Sequence, residues 1–412
     1  MASTKGELPK VYIPAKQAQE YAESLLVENQ VPPDNAATIA RCLVEADLRG
    51  VDTHGLNRLP SYMERLRRGV MDAKATPSLD IKTPVVALVD GNNGFGFLAA
   101  TAGMDFAISA AKTYGIGMAS VKRSNHFGMG ACYALQAARE GMMSLVFTNS
   151  SPAMAPWGSK AKIVGVSPLA CGAPGGVEKP FILDMAPSTA ARGKLYKAVR
   201  RSEKVPLDWA LDADGFPTDD PAAALKGVML PMGGPKGSAL AIMMDVFSGV
   251  LSGSGFAGGV TGPYDPSRAS DVGHLMIAIK PDVFLGIDEF KGRMDLLFQK
   301  ITQSEKAPGV GRVYFPGEIE QLNQESRLKT GIPYVEEEIK ALNEEARRAG
   351  SKQLVESADV RAEWYGDFAH QAAQQYERLG YIIDWFQTLA VSADCVLIDL
   401  EPMHLEFTAH RN

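Results

Sequence analysis

Residues 83–91 read TPVVALVDG, a run of β-branched and apolar residues that predicts a strand ending in a turn. A helical pattern, LAATAGMDFAISAAKTYG, follows at residues 98–115, and residues 115–124, GIGMASVKRS, predict a second strand. Residues 129–142 predict another helix, and residues 143–152, MSLVFTNSSP, predict a third strand with a polar end. Strands and helices that alternate in this way indicate an α/β core.

The chain before this core is predicted to be helical. Residues 14–49 carry apolar side chains at helical spacing in two runs, which a Pro-Pro pair separates. Asp34 or Asn35 is the expected N-cap of the second run. The loop VDTHGLNRLP follows, and Pro60 is expected to begin a third helix.

The chain after the core continues the mixture of strands and helices. Residues 162–176 and 179–188 predict two short strands, and residues 188–204 predict a helix. The apolar run SALAIMMDVFSGVLSGSGF, residues 238–256, predicts a long helix that is buried on most of its sides. Residues 312–320, RVYFPGEIE, predict a strand that runs into a Pro-Gly turn.

The composition is that of an ordinary globular protein, and it limits the classes of function. The 412 residues are 46% hydrophobic and 22% charged, and 48 acidic against 42 basic residues give a net charge of −6. A mildly acidic surface argues against nucleic acid as the main partner and leaves small anionic substrates open. We expect neither a membrane span, which needs about 18 consecutive apolar residues, nor a signal peptide.

The four cysteines predict neither a disulfide framework nor a zinc site. Cys42, Cys132, Cys171 and Cys395 lie far apart and form no C-x-x-C pair. The sequence also contains no H-E-x-x-H motif and no carboxylate cluster with ligand spacing. We therefore expect a reduced, cytoplasmic protein without a bound metal ion.

The loop after the N-terminal helices contains the first candidate for chemistry, DTHGLNR at residues 52–58. Histidine transfers protons most readily near neutral pH, and His54 is one of six in the chain. Arg58 lies four residues further on, so a helical turn would place both side chains on one face. Arginine binds a carboxylate through paired hydrogen bonds, which suits a 2-oxo acid. The alternative is a loop histidine beside a surface arginine in an ion pair, since this spacing recurs by chance.

A second histidine, His126, lies in KRSNHFGMG at residues 122–130, after a predicted strand and before a predicted helix. Backbone N–H groups at the start of such a helix can bind an anion such as a phosphate or a carboxylate. The alternative is a turn that the asparagine and histidine side chains stabilise.

The stretch GFGFLA at residues 94–99 resembles a dinucleotide-binding fingerprint, because it follows a strand and begins a helix. The acidic residue expected about 20 positions later is absent, although Lys122 and Arg123 beyond the next strand would suit a 2′-phosphate. Residues 90–93, DGNN, also lengthen a turn that the fingerprint keeps tight. We therefore do not expect a Rossmann unit.

Two further features have both a binding and a structural interpretation. The turn PMGGPKGS at residues 231–238 could cradle a phosphate with Lys236, or it could simply lead into a buried helix. It is not a Walker loop, because Lys236 is followed by Gly237. Asp184, at the end of the pattern FILD, could orient a histidine or a ribose hydroxyl, or act as an acid at a helix N-terminus.

Several long stretches, in order, resemble the second, non-Rossmann type of the malate/L-lactate dehydrogenase family. They lie within about residues 15–345 and are ADLRGVDTHGLNRLPSY, VDGNNGFG, SNHFGMGACYALQAAREGMMSLVFTNSSPAMAPWGS, ILDMAPSTAARGK, GFPTDDPAAALKGVMLPMGGPKGSAL and YFPGE. That family also includes ureidoglycolate, sulfolactate and diketogulonate reductases, and ketimine reductases acting on cyclic imino acids. The resemblance implies an α/β (mixed α+β) fold with a helical N-terminal part and a discontinuous, non-Rossmann cofactor domain.

The resemblance also implies the residues of the site. His54 is similar to the family's catalytic acid/base, and His126 to a second active-site histidine. Arg58 is similar to the residue that binds the substrate carboxylate, which Arg49 could assist, and Ser167 is implied at the substrate. Asp184 is implied both in catalysis and at the cofactor. The implied contacts of an NAD or NADP cofactor are His126, Ser150, Asp184, Met185, Ala186, Lys236, Gly237, Pro316, Gly317 and Glu318.

The family further implies how the chain is divided and assembled. A helical substrate part at residues 10–85 is rejoined by residues 300–350, and residues 86–299 form the cofactor-binding part. Residues 351–412 match nothing in the family and form an extension of unknown role. Its segment LGYIIDWFQTLAVSADCVLIDL is apolar enough to pack, for example on a partner subunit. Dimers are usual in the family, with subunits close to each other's sites, so a homodimer is implied.

One departure from the family bears on the substrate. Residues 165–168 read GVSP where the family often reads G-T-N-P, and the loss of Thr and Asn is expected to reshape the substrate or nicotinamide pocket. We expect an oxidoreductase that transfers a hydride between NAD(P)H and C2 of a small 2-oxo acid. A ketimine reductase is the alternative, and a catalytically silent cofactor-binding protein is the third interpretation.

Overall fold

A seven-stranded sheet lies at the centre of the computed structural model, which describes residues 9–355 of the chain. In spatial order its strands are Ser78–Thr83 (β2), Val86–Asp90 (β3), Ile116–Ser124 (β4), Val272–Ile279 (β12), Met143–Thr148 (β5), Leu169–Ala173 (β8) and Phe181–Met185 (β9). Within this sheet β3 and β4 are the one parallel pair, and all other neighbours are antiparallel. A parallel pair needs a crossover connection, which a helix at Gly96–Tyr114 (α4) provides.

Two smaller sheets complete the strands. Lys10–Ile13 (β1) pairs antiparallel with Ile332–Val335 (β13), which joins the two ends of the described chain. The other sheet has four short strands, in the order Ala210–Leu211 (β10), Val228–Met229 (β11), Pro152–Met154 (β6) and Val164–Gly165 (β7).

Eleven α-helices accompany these sheets in the described part of the chain. Besides α4 they are Ala15–Glu28 (α1), Pro33–Leu48 (α2), Leu59–Arg67 (α3), Ala131–Arg139 (α5), Arg192–Arg201 (α6), Pro221–Lys226 (α7), Pro235–Asp245 (α8), Ile287–Thr302 (α9), Glu318–Thr330 (α10) and Glu336–Ala349 (α11).

The main core lies between the large sheet and the helices α4 and α5. Small side chains such as Ala99 and Ala107 let α4 approach Ala119 in β4, and this cluster is fully buried. Side chains alternate between the two faces of a strand, so Phe147 in β5 points away from the face that α4 and α5 cover. There its ring lies 6.0 Å from that of Phe247, which follows α8. The sheet is therefore covered on both faces, with α8 and its extension on the second.

The predicted mixed α/β fold is confirmed, as are the strands and helices predicted between residues 83 and 152. Three predictions elsewhere are wrong, and the first two concern where helices begin. The second N-terminal helix begins at Pro33, before Asp34 and Asn35, because a proline in the first position has no N–H group that needs a cap. Residues 312–320 form no strand, because Glu318 already begins α10.

The apolar run at residues 238–256 is helical, but the prediction that it is buried on most sides is wrong. The helix α8 ends at Asp245 and continues as a π-helical turn, Val246–Val250. One side packs on the sheet, whereas Ile242, Val246 and Val250 on the other are 44%, 46% and 52% exposed. The apolar sequence predicted a helix that makes apolar contacts, but it could not show whether residues of the same chain provide those contacts.

The predicted domain division stays a prediction, at residues 10–85 with 300–350 against residues 86–299. In the structure, β13, α10 and α11 do return to the N-terminal helices, for example through a hydrogen bond of 2.6 Å from the Tyr21 hydroxyl to the carbonyl of Leu342. The apolar segment predicted to pack within residues 351–412 lies outside the described residues.

Candidate active site

His54 and Arg58 lie in a loop of two short 3-10 turns, Asp52–His54 and Leu56–Arg58, between α2 and α3. Arg58 Nε donates a hydrogen bond of 2.5 Å to the carbonyl of Thr53, which folds the arginine back along the loop. His54 Nδ1 lies 2.9 Å from the Thr53 hydroxyl. The loop therefore brings the two predicted side chains together through 3-10 turns rather than through a turn of α-helix.

His126, which follows the end of β4, stacks on His54. The ring centroids are 5.4 Å apart and the ring planes are 22° apart. His126 Nδ1 accepts a hydrogen bond of 3.3 Å from the backbone N–H of Gly128, and the Tyr62 hydroxyl lies 2.7 Å from the same nitrogen. An N–H group can only donate, so the proton of the neutral imidazole must be on Nε2. His126 therefore has an Nε2–H group as its remaining donor.

Both imidazoles are neutral near pH 7. Burial, and to a smaller degree the positive charge of Arg58, lower the pKa of His54 to about 3. Burial also lowers the pKa of His126 well below its usual value, with Arg58 and His54 adding to the effect. A neutral imidazole can accept a proton from a substrate hydroxyl, whereas donating one requires that its pKa first rise. An anion bound at Arg58 would remove the second cause of the low pKa of His54.

Arg58 itself has a donor without a partner. Its Nη1 is buried and forms no hydrogen bond, and the ring of Tyr264 lies 4.8 Å from the guanidinium carbon. A buried donor without a partner costs about 1–3 kcal/mol. The guanidinium group matches the geometry of a carboxylate, so the arrangement suits a carboxylate ligand.

Three turns predicted to bind the cofactor meet along the edge strand β9; they are residues 184–187, 231–237 and 316–318. Beyond the end of the strand, the carbonyl of Pro187 accepts the N–H of Met232 at 2.9 Å. Along the strand, the N–H of Ile182 donates to the carbonyl of Pro316 at 3.1 Å. Backbone hydrogen bonds thus join stretches that lie far apart in the sequence into one region, which we call the β9 cleft.

Within the β9 cleft, Asp184 binds the start of a helix. Its Oδ2 accepts the N–H of Ala131, the first residue of α5, at 2.7 Å, while much of the residue stays exposed. The anion site predicted for residues 122–130 is therefore filled by a carboxylate of the chain itself, which the positive end of the helix dipole stabilises. The structural interpretation of Asp184 fits this geometry, and its catalytic or cofactor role stays a prediction.

The glycine-rich turn at the start of α8 uses its own backbone donors. The N–H groups of Gly234, Gly237 and Ser238 donate to carbonyls of the same segment at 3.1, 2.9 and 3.2 Å. The helix begins at Pro235, which has no N–H group. The predicted cradle of backbone N–H groups is therefore largely occupied, and the exposed side chain of Lys236 is the donor that remains for a phosphate.

Two predicted serines lie together near the β9 cleft. The N–H of Ser167 donates to the hydroxyl oxygen of Ser150 at 3.1 Å. The pairing of Leu169 with Met185 places Ser167 just before β8, beside the end of β9. The Ser167 hydroxyl is fully buried and forms no hydrogen bond with the described residues, which suits a bound polar group.

Two other predicted residues are occupied by partners within the chain. Glu318 is buried, pairs with Arg312 and accepts a backbone N–H at 3.0 Å through its second oxygen. Arg49 is also buried, and its guanidinium donates to the carbonyl of Gly317 at 3.4 Å, while its buried Nε has no hydrogen-bond partner among residues 9–355. Arg49 therefore supports the turn that contains Gly317, and none of its hydrogen bonds leads to the histidine pair.

Sequence reasoning missed two polar groups beside the histidine pair. Tyr62 lies on α3, four residues after Arg58, so helical spacing was a signal that could have found it. His274 is buried inside β12, where its Nδ1 and Nε2 lie 2.8 Å from the hydroxyls of Thr148 and Ser124. It ties the ends of three strands together, and its apolar sequence surroundings gave no sign of this.

The glycine stretch at residues 94–99 follows β3 and begins α4, and the expectation that it is no dinucleotide loop stays a prediction. Arg123 forms a bidentate ion pair with Asp90, with Nε and Nη2 at 2.9 and 2.8 Å from the carboxylate oxygens. The arginine that would suit a 2′-phosphate is therefore bound to a carboxylate of the chain itself.

Within residues 9–355, no three His, Cys, Asp or Glu side chains lie close enough together to hold a metal ion. Cys42, Cys132 and Cys171 are free thiols. No helix in this range has both the length and the apolar character needed to cross a membrane.

Comparison with known proteins agrees with the fold. The family model described as malate/L-lactate dehydrogenase matches residues 13–343. A malate dehydrogenase of Pyrococcus abyssi is 37% identical over 352 residues, covering 84% of this chain and 96% of the relative. Among further relatives, one dehydrogenase is named for NADP+ and another for NAD+.

Solved structures give the same result. The sulfolactate dehydrogenase of Methanocaldococcus jannaschii has a TM-score of 0.79 and 35% identity, covering 83% of this chain and 98% of its own. The Δ1-piperideine-2-carboxylate reductase of Pseudomonas syringae pv. tomato has a TM-score of 0.74 and 28% identity, covering 82% and 100%. The chain therefore belongs to the malate/L-lactate dehydrogenase family.

Proposed function

We propose that the chain transfers a hydride between NAD(P)H and C2 of a small 2-oxo acid, or oxidises the matching 2-hydroxy acid. The observation that carries this proposal is the stacked pair His54 and His126 beside Arg58, whose buried Nη1 has no partner. Reduction of a 2-oxo acid needs a proton for the developing alkoxide and a partner for the carboxylate. The relatives named for malate and sulfolactate support this substrate class.

The β9 cleft fits a nicotinamide dinucleotide. The buried Ser167 hydroxyl without a partner and the exposed Lys236 ammonium both lie where β9 ends. We assign Lys236 to a phosphate, Ser167 to the substrate, and Ser150 with the turns at 184–186 and 316–317 to the rest of the cofactor. The bound cofactor supplies or accepts the hydride.

Side chains of the protein bind the substrate carboxylate and transfer the proton. Arg58 binds the carboxylate of the substrate, the Nε2–H of His126 donates to the reacting oxygen, and His54 passes the proton. Burial is the main cause of the low pKa of His54, and a carboxylate at Arg58 offsets the smaller cause, the positive charge of Arg58, so this part of the lowering is removed when the substrate is bound. Proton transfer is thereby coupled to substrate binding.

The test is a screen of 2-oxo acids with NADH and with NADPH, followed at the nicotinamide absorbance. We expect turnover with at least one small 2-oxo acid, and loss of that turnover in His54→Ala at unchanged cofactor affinity. If the protein binds NAD(P)H and is silent against the whole panel, the third interpretation, a cofactor-binding protein without catalysis, replaces this one.

A ketimine reductase is the second candidate. The pocket sequence GVSP at residues 165–168 favours it, and so does the structural likeness to a piperideine-carboxylate reductase. Pyruvate alone and pyruvate with methylamine, which form a C=O and a C=N substrate, separate the two activities. NAD(P)H loss that depends on the amine favours the imine, and equal loss without the amine favours the oxo acid.

We also propose that the chain forms a homodimer through the exposed apolar side of α8 and its extension, the surface of Ile242, Val246, Val250 and Leu251. A contiguous exposed apolar patch of this kind marks an interaction surface. Val246→Asp is expected to give monomers in sedimentation, while Val177→Asp, at a site 97% exposed elsewhere, leaves the dimer intact. A dimer in both variants contradicts this surface.

A cytoplasmic location stays a prediction from the cysteine spacing.

A further inference from the structure

We propose that Asp47 is a positioning residue, which holds the backbone between His54 and Arg58 in the geometry that proton transfer and carboxylate binding require. The inference rests on the function proposed for this loop. Asp47 lies in the last turn of α2 and is fully buried. Its Oδ2 accepts the N–H of Leu56 at 2.9 Å. Leu56 follows the turn that contains His54 and begins the turn that contains Arg58, so one hydrogen bond fixes the junction of both.

The loop passes directly over this carboxylate, which leaves no room for a side chain at the junction. A Cβ atom at Gly55 would lie 1.8 Å from Asp47 Oδ1. Because the carboxylate leaves no space beside Gly55, a shift of the carboxylate displaces the loop as well.

Other contacts hold the ends of the loop but not its centre. Arg327 of α10 donates to the carboxylate of Asp52 and to the carbonyl of Asp47, both at 2.5 Å. At the other end, Asn57 donates to Glu338 of α11 at 3.1 Å. Asp47 is the group whose side chain reaches the backbone between the two functional residues.

Stability alone does not explain a carboxylate at this place. Besides Leu56, Oδ2 accepts the Tyr334 hydroxyl at 2.7 Å, but the buried Oδ1 has no partner. Burial raises the pKa of Asp47 to about 7, and its hydrogen bonds oppose that rise. A buried acid with an unpaired oxygen destabilises the fold relative to a fully paired group. The positioning role needs a hydrogen-bond acceptor at Oδ2, and a negative charge on Asp47 is not required for that role.

The test compares three variants of the full chain. Asp47→Ala removes the acceptor and is expected to lower kcat by about 10²-fold, the effect of a displacement near 1 Å at a reacting group. Asp47→Asn keeps one oxygen for Leu56 and Tyr334 and should stay within about threefold of the wild-type kcat. Tyr334→Phe removes the other hydrogen bond to the same oxygen and is the matched control, with a lowered Tm and a kcat within about twofold of wild type.

A readout besides kcat separates positioning from loss of folded protein. The solvent deuterium isotope effect on kcat should rise in Asp47→Ala, because proton delivery becomes slower, whereas a smaller active fraction leaves that effect unchanged. If Asp47→Ala does not fold, Gly55→Ala displaces the loop from the other side and should show the same rise. The binding constant for NAD(P)H should stay at the wild-type value in each variant.

The outcomes are distinct from those of the proposed function. A wild-type kcat in Asp47→Ala, or equal kcat losses in Asp47→Ala and Tyr334→Phe with an unchanged isotope effect, overturns the positioning role. If the wild-type chain is silent against the whole panel of 2-oxo acids, the proposed function fails, and full activity in His54→Ala removes only the role of His54. An inactive His54→Ala beside a fully active Asp47→Ala removes only the inference about Asp47.

Discussion

The loop at residues 52–58 and the β9 cleft hold their groups in different ways. In the loop, the functional groups are side chains, and hydrogen bonds to residues outside the loop, such as the one from Leu56 to Asp47, hold them in place. In the β9 cleft, backbone hydrogen bonds join three turns, and Glu318 already has partners within the chain. Chemistry that depends on side chains is lost with one substitution. Binding that depends on the course of the backbone is lost only where a new side chain cannot fit.

The loop should show the largest effect of a single substitution. His54→Ala is expected to lower kcat by roughly 10²–10⁴, since it removes the group that passes the proton. Turnover and NAD(P)H affinity are measured side by side, and the affinity should stay unchanged. A wild-type rate in this variant removes His54 from catalysis and with it the contrast between the two regions.

A smaller effect is expected at the carboxylate partner. Arg58→Lys keeps the positive charge but loses the planar fork, so kcat/KM for the oxo acid should fall by about 10- to 100-fold. Most of the loss should come from KM. The matched control is Arg68→Lys directly after α3, an exposed position paired with Glu64, where activity should be unchanged. Equal effects in both variants would contradict the assignment of Arg58.

In the β9 cleft, we expect a substitution to weaken cofactor binding at Gly317, where the turn lies against β9. Gly317 has φ +86°, and a Cβ there would lie 2.8 Å from the Cβ and the carbonyl oxygen of Ile182. Gly317→Ala should therefore raise the Kd of NAD(P)H by about fivefold to tenfold, or about 1 kcal/mol of backbone strain, with kcat at saturation nearly intact. Gly309→Ala is the control, since Gly309 has φ +81° with nothing within 4 Å. Equal changes in Kd would show that the turn does not contact the cofactor.

The smallest expected effect is a flat pH profile. The folded-state pKa of His54, about 3, lies below the ordinary value of 6.5, so the imidazole stays neutral and can accept a proton throughout pH 5–8. In the direction of hydroxy-acid oxidation, kcat/KM should change by less than about twofold between pH 5.5 and 8, because that parameter reports the enzyme before the substrate binds. An inflection near pH 6.5 that disappears in an active variant without His54 would show an exposed base instead.

Much of the fold could be predicted, because it rests on local patterns. The alternation between residues 83 and 152 corresponds to β3, α4, β4, α5 and β5 in order. The failures share one cause, which is context beyond the local window. Residues 312–320 contain strand-forming side chains, yet Gly317 adopts a left-handed backbone and Glu318 begins a helix. The run at residues 238–256 has the composition of a buried helix, yet Ile242, Val246 and Val250 are exposed in the part of the chain that the structure describes.

The order of amino acids alone determined the mixed α/β class, since periodicity is a property of neighbouring residues. The resemblance of long stretches also indicated the non-Rossmann family and predicted a joint role for His54 and Arg58. Only the tertiary structure decided which of the predicted residues remain available. Asp184 accepts a hydrogen bond at the start of α5, and Glu318 is paired with Arg312. Asp47 accepts a hydrogen bond from Tyr334, which lies 287 residues away in the sequence. The physical reason is that a buried polar group must find a partner, and the nearest one is set by how distant strands and helices pack.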